Sequence, residues 1–229
     1  MHRLLSAITC SALALFTAGL SAQTDVEALV TQGNDRGAIA CATCHQADGA
    51  GQAQAGFPRL AGMDSDHFMD QLQSYRDGTR NNPVMAPIAK ALSEEEGRAL
   101  AEYYEKQQAP AGASSDLAPE VRVVGERLAQ SGDWQGRELP ACVQCHGPNG
   151  EGVGSAFPAL AGQHASYIQS QIEAWKRGER SNDPLGLMKV VADKLSAEET
   201  QAVAAYFAQL GAAAETSGTS AAESPGSQP

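Results

Sequence analysis

Cys41-Ala42-Thr43-Cys44-His45 places two thiols two residues apart with an imidazole directly after the second, and the same spacing returns at Cys142-Val143-Gln144-Cys145-His146. This pentapeptide is the attachment signature of c-type haem. Each thiol adds across one vinyl group of the ring, and the adjacent histidine reaches the iron from one face. Zinc also uses Cys-x-x-Cys pairs, but with a second pair or two histidines completing one tetrahedral site. Here the pairs lie about a hundred residues apart, and each has its own histidine. A thioredoxin-like redox site would need a strand–CxxC–helix context, and the chain has no β-rich runs. The residues therefore predict two covalently bound haem c groups, one held by Cys41, Cys44 and His45, the other by Cys142, Cys145 and His146.

A second axial ligand must come from elsewhere in each copy. Met63, Met69, Met85 and His67 are available in the first, His164 and Met188 in the second. Met63 aligns with Gln163, Met69 with Gln169 and His67 with Tyr167, whereas Met85 aligns with Met188. A ligand should persist in both copies of a duplicated site, while a methionine that fills the core can drift. Met85 and Met188 are thus the expected sixth ligands. A haem-ligating histidine also needs its other ring nitrogen fixed by an acceptor. The segment Phe57-Pro58-Arg59-Leu60-Ala61-Gly62 and its copy Phe157-Pro158-Ala159-Leu160-Ala161-Gly162 supply proline carbonyls for that purpose, or else simply shape a turn. Phe57, Phe157, Tyr75 and Trp175 recur at matched positions as candidate walls of the haem crevices. Arg80 and Arg180, like Arg76 and Lys176, either pair with haem propionates or face solvent.

Helices must carry these groups. Apolar spacing predicts helices over 25–32, 64–76 and 120–130, and the second of these is repeated around Tyr167 to Trp175. Ser93 with Glu96, and Ser196 with Glu199, read as capping boxes opening the last helix of each copy. The landmarks return in order at offsets of 100 to 103 residues, which marks an internal duplication. Between the copies the composition turns to Ala, Pro, Ser and Gly and reads as a linker. The expected division is a signal peptide at 1–22, a first domain at 23–107, a linker at 108–118, a second domain at 119–210 and a disordered tail at 211–229.

The start of the chain joins a short basic segment to an uncharged apolar run and then to Ser21-Ala22-Gln23. This is the pattern of a secretory signal peptide cut after Ala22, or else of a retained membrane anchor, and it predicts an exported protein. Of five cysteines, one lies in that segment and four form the two pairs, so none remains for a structural disulfide. With 16 basic against 27 acidic residues the net charge is −11, which excludes nucleic acid as a natural partner.

Two haem-attachment motifs, each followed by FPxLAG, a helix, a methionine and a capped helix, resemble the di-haem cytochrome c4 family over residues 25–210. The resemblance implies an all-α fold of two tandem class I cytochrome c domains packed with approximate two-fold symmetry. It implies a periplasmic electron carrier rather than an enzyme, with His45 and Met85 on one iron and His146 and Met188 on the other. Its partners would be redox proteins: a membrane terminal oxidase such as the cbb3 type downstream, and a quinol-oxidising complex or dehydrogenase upstream, with peripheral membrane association a further possibility. The halves differ little in charge, −6 over residues 23–109 and −3 over 119–210, so the polarity of some relatives is muted here. Two other readings stay open: a haem subunit bound to a dehydrogenase, and a small di-haem redox enzyme using His67 or His164 as a distal group.

Overall fold

A computed structural model describes residues 24–109, 118–183 and 185–211. The signal segment, most of the linker and the tail expected from sequence lie outside these residues. Within them the chain is helical, and the only β-type pairings are isolated bridges.

The first repeat comprises α1 (Val26–Gln32), α2 (Ala42–His45), a 3-10 turn (Ala53–Ala55), α3 (Ser65–Asp77), α4 (Met85–Ala91) and α5 (Glu94–Glu105). The second comprises α6 (Pro119–Ser131), α7 (Trp134–Arg137), α8 (Val143–His146), α9 (Ala165–Lys176), α10 (Leu187–Lys194) and α11 (Ala197–Gln209). Each repeat has its own core. Leu29, Val30, Phe68, Leu72, Leu100 and Tyr104 anchor one, and Leu128, Ile168, Ile172, Trp175, Val203 and Phe207 the other. Both capping boxes form as expected, with Glu96 and Glu199 closing back on the backbone of Ser93 and Ser196.

Glycines set several close approaches. Gly33 and its copy Gly132 end α1 and α6 in the left-handed region, at φ 80° and 67°. A Cβ there would stand 2.1 Å from the Ala38 carbonyl oxygen or 2.3 Å from that of Leu139. Only glycine lets the chain leave the helix so tightly against the next segment. Helices α6 and α11 cross at Gly125, where a Cβ would lie 2.3 Å from the Ala202 carbonyl oxygen.

Helices α4 and α10 are additions to the elements expected from sequence. Pro87 sits at the third position of α4, where no intrahelical N–H bond is lost.

The repeats meet along a seam whose pairing is reciprocal. The Asn81 amide donates to the Glu179 carbonyl at 2.7 Å, and the Ser181 amide donates to the Thr79 carbonyl at 2.6 Å. Arg80 donates to Gln71 Oε1 at 2.9 Å and to Gln171 Oε1 at 2.7 Å, while Arg180 donates to the same two oxygens at 3.1 and 3.0 Å. Residue i touching j while j touches i is the mark of a two-fold relation. The packed, approximately two-fold arrangement expected from the duplication is therefore the one adopted. Arg80 and Arg180 are buried, at 5 and 7% exposure. The solvent-facing alternative for them is corrected: a buried guanidinium needs acceptors, and the glutamines of both repeats supply them.

Candidate functional site

Each cysteine pair opens one helical turn. Cys41 and Cys142 are the N-caps of α2 and α8, with near-identical backbone angles, φ −60° with ψ −35° and −37°. The His45 amide donates to the Cys41 carbonyl at 2.9 Å, and the His146 amide to that of Cys142 at 3.0 Å. Positions i, i+3 and i+4 share a helix face, so both sulfurs and the imidazole of each motif point to one side. All four thiols are free and partly buried. Burial pushes the Cys41 thiol up and that of Cys142 up to about 11, so both are protonated thiols rather than thiolates at neutral pH. Among the described residues no group of three or more His, Cys, Asp and Glu side chains is arranged to hold a metal ion.

The histidines are buried and their pKa values are lowered by that burial, so they are neutral at pH 7. His45 Nδ1 lies 3.0 Å from the Pro58 carbonyl oxygen and His146 Nδ1 lies 2.8 Å from that of Pro158. A carbonyl only accepts, so Nδ1 must carry the proton and Nε2 the lone pair. Both Nε2 atoms are thereby oriented as metal ligands. The FPxLAG segments hold these carbonyls in place. In each, the final glycine amide donates across the repeat, Gly62 to the Tyr104 carbonyl at 2.9 Å and Gly162 to that of Phe207 at 2.8 Å. Phe57 and Phe157 lean on the histidine rings, with centroids 6.4 and 6.2 Å away.

Met85 is the first residue of α4 and Met188 the second of α10, and each packs, half-buried, on the core of its own repeat. Both turns are held by an acid or amide that sequence reasoning passed over. Asn82 Oδ1 accepts from the Val84 and Met85 amides, each at 2.9 Å. Asp183 Oδ2 accepts from the Met188 amide at 2.5 Å and the Lys189 amide at 3.3 Å. The signal was an Asx residue three positions before Met85 and five before Met188, each in the turn ahead of the helix and bonding forward to its first amides. Met69 is buried against Gly97 and Met63 packs on the first core. Of the remaining candidates, Tyr75 and Trp175 stack against Arg80 and Arg180 at 4.7 and 3.9 Å. Arg76 donates to the Ala89 and Leu92 carbonyls, and Lys176 pairs with Glu173. His67 Nδ1–H reaches the Ser155 carbonyl at 2.8 Å and His164 Nε2–H the Ala50 carbonyl at 3.0 Å, both across the seam.

The donor inventory fits a haem in each repeat. Arg59, Arg80 and Arg180 are buried, and none forms an ion pair with a carboxylate among the described residues. Arg59 Nε and Nη1 and Trp175 Nε1 are buried without any acceptor. Buried donors left this way are costly, and what Arg59 and Trp175 lack is an acceptor. The propionates of a haem seated on the cysteine–histidine turns are acceptors of the required kind.

Comparison with known proteins agrees. The family model "Cytochrome c" matches residues 135–211, and the model "Cytochrome C oxidase, cbb3-type, subunit III" matches residues 28–103. The chain is 50% identical to the thiosulfate dehydrogenase electron acceptor of Stutzerimonas stutzeri, over 82% of this chain and 87% of that protein. It is 32% identical to cytochrome c4 of Pseudomonas aeruginosa, over 86% of this chain and 96% of that one. Among solved structures, thiosulfate dehydrogenase (TsdBA) from Marichromatium purpuratum superposes with a TM-score of 0.76 at 43% identity, covering 83% of this chain but 41% of that longer one. Reduced recombinant cytochrome c4 from Pseudomonas stutzeri gives a TM-score of 0.67 at 34% identity, covering 74% and 93%. With a duplicated haem-binding turn in each half and this breadth of similarity, the chain belongs to the cytochrome c4 family, the di-haem c-type cytochromes that carry electrons.

Proposed function

We propose that the protein is a periplasmic electron acceptor for a thiosulfate-oxidising dehydrogenase and passes those electrons on to a respiratory acceptor. The observation that carries this reading is the 50% identity, across most of both chains, to a protein named for accepting electrons from thiosulfate dehydrogenase. Cys41 with Cys44, and Cys142 with Cys145, tether the two rings. His45 with Met85, and His146 with Met188, would be the residues that ligate the two irons. The Pro58 and Pro158 carbonyls hold the histidines in the tautomer that presents Nε2. When bound, each haem supplies a one-electron couple, and the pair matches the two electrons released when two thiosulfate ions are joined. With histidine and methionine as its ligands, each iron would have a higher potential than with two histidines and would offer no place to a substrate. That His67 and His164 are engaged with backbone carbonyls of the opposite repeat favours a carrier over an enzyme using them as distal groups.

A terminal oxidase, such as one of the cbb3 type, is the downstream acceptor the family resemblance suggests. Export rests on the segment at 1–22, and among the described residues no helix is long and apolar enough to cross a membrane. The two separate cores support a division into domains at 23–107 and 119–210. The test is rapid mixing of the oxidised holoprotein with a thiosulfate dehydrogenase and thiosulfate. Both haems should become reduced at a rate that depends on enzyme concentration. Failure to reduce it while the same enzyme reduces its own acceptor would refute the assignment.

A further inference from the structure

The two arms that carry the methionines are built differently. The first runs Asn82-Pro83-Val84-Met85, and the second runs Asp183-Pro184-Leu185-Gly186-Leu187-Met188, two residues longer. Asn82 grips its arm twice. Its Oδ1 accepts from the Val84 and Met85 amides, each at 2.9 Å, and its carbonyl accepts from the Ala86 amide at 3.0 Å. Pro83 lies between, with its φ locked by the ring. The short arm is therefore held by side chain and backbone together.

The longer arm leans on Asp183. Helix α10 opens at Gly186, which has a left-handed φ of 67° and no side chain with which to cap the first turn. Asp183 Oδ2 supplies the cap from the far side of the insertion, accepting from the Met188 amide at 2.5 Å and the Lys189 amide at 3.3 Å. The Asp183 carbonyl accepts from the Gly186 amide at 3.0 Å, so its backbone bond closes the loop ahead of the helix and does not reach into it. Leu185 is 81% exposed and adds no packing to the arm. A carboxylate on first-turn amides makes charge-assisted bonds and complements the helix dipole. A helix of eight residues has little stability of its own, so the start of α10, and Met188 with it, depends on that cap.

We infer that Asp183 is a positioning residue that holds Met188 on the second iron, and that when an added ligand displaces methionine the second iron yields before the first. This rests on the axial assignment of His45 with Met85 and His146 with Met188. Asp183 acts through the Met188 amide. A methionine returns readily to its iron only if its arm stays ordered while the bond is open. Removing the cap adds disordered arm states that compete with ligation, and the released fraction rises by as much as the cap contributed.

The experiment titrates the full-length ferric holoprotein, and its Asp183→Ala, Asp183→Asn and Asn82→Ala variants, with cyanide while the Fe–S charge-transfer band is followed. Met85→Ala and Met188→Ala, each opening one site in advance, tell the two haems apart. In the parent the Met188 haem should bind cyanide first. Asp183→Ala should tighten binding there by about two- to thirtyfold and leave the Met85 haem unchanged. Asp183→Asn, which keeps an acceptor oxygen, should stay nearer the parent than Asp183→Ala does. Asn82→Ala should act on the Met85 haem by a smaller factor, because Pro83 and the backbone bond to Ala86 remain. Hydrogen exchange at the Met188 and Lys189 amides reports the loss of the cap. Faster exchange there without tighter cyanide binding would show a cap that serves the helix alone and would overturn the proposal. So would the Met85 haem binding first in the parent, an Asn82→Ala effect as large as that of Asp183→Ala, or Asp183→Asn matching Asp183→Ala. If Met85→Ala and Met188→Ala do not each open one haem, the axial assignment falls instead, so the two failures are distinguishable.

Discussion

Gln71→Leu removes one carbonyl oxygen from the centre of the seam and conserves volume. In the parent, Gln71 Oε1 accepts from Arg80 Nη1 at 2.9 Å, Arg180 Nη2 at 3.1 Å and Asn182 Nδ2 at 2.9 Å. Hydrogen bonds to charged groups contribute about 1.5–3 kcal/mol and neutral ones about 1 kcal/mol, which gives an upper bound of about 4–7 kcal/mol. Gln171 Oε1 still accepts from both arginines, and water can enter an opened seam, so about 2–4 kcal/mol is the expected cost. The loss should be local, because neither repeat's core includes Gln71. The reporters are the Asn81 and Ser181 amides, which bond only across the seam, to Glu179 and Thr79. Their hydrogen exchange should accelerate by about 30- to 1,000-fold at about 1.4 kcal/mol per decade. Amides inside α5 and α11 should be nearly unchanged. Inter-haem electron transfer after rapid one-electron reduction should slow in parallel. Exchange within about twofold of the parent, with an unchanged transfer rate, would show that the seam is not held by this network.

Met85→Ala and Met188→Ala should each remove about half of the Fe–S charge-transfer absorption and create one haem that binds cyanide or CO. If Met63→Ala did this instead, the reasoning from the repeat would be wrong. Gly125→Ala drives a Cβ against the Ala202 carbonyl oxygen at 2.3 Å and the Tyr206 Cβ at 3.0 Å. Because the first contact is backbone, it should destabilise the second repeat by about 1–3 kcal/mol or more, read as a lower melting temperature with the first repeat's amides spared. His67 is pushed down to about 4, chiefly by burial, with Arg180 and Arg80 adding to it and the Ser155 carbonyl and Asp64 opposing. Between pH 6.5 and 4 the opened state binds the extra proton, so the seam is fully stable above pH 6.5 and weakens as pH falls toward 4. Exchange at Asn81 and Ser181, corrected for its intrinsic pH dependence, should show that slope, and His67→Asn should flatten it.

Much of the chemistry was legible in the chain because it is local. Cys41, Cys44 and His45 fall within one helical turn, so spacing alone puts both sulfurs and the imidazole on one face, and the copy at Cys142, Cys145 and His146 repeats the argument. The capping boxes at Ser93 and Ser196 are equally short-range, and both formed. The duplication let Met85 and Met188 be singled out without any coordinates. Helices α4 and α10 escaped because each has only two turns, α4 contains Pro87, and their starts depend on Asn82 and Asp183 reaching forward to backbone amides.

The seam is the part that only the tertiary structure decided. An arginine in a sequence reads as exposed, because burying a guanidinium is costly without acceptors. The acceptors of Arg80 include Gln171, and those of Arg180 include Gln71, each about a hundred residues away on a polar helix position that carries no periodic signal. Arg59 is the sharper case. Within FPRLAG it looks like an exchangeable residue that matches Ala159, and it becomes buried only when Gln163 and Ala161 close over it from the other repeat. Local spacing determined where each haem is attached. The fold of one repeat against the other determined which charges surround it, because electrostatics acts through space and chain order does not record that distance.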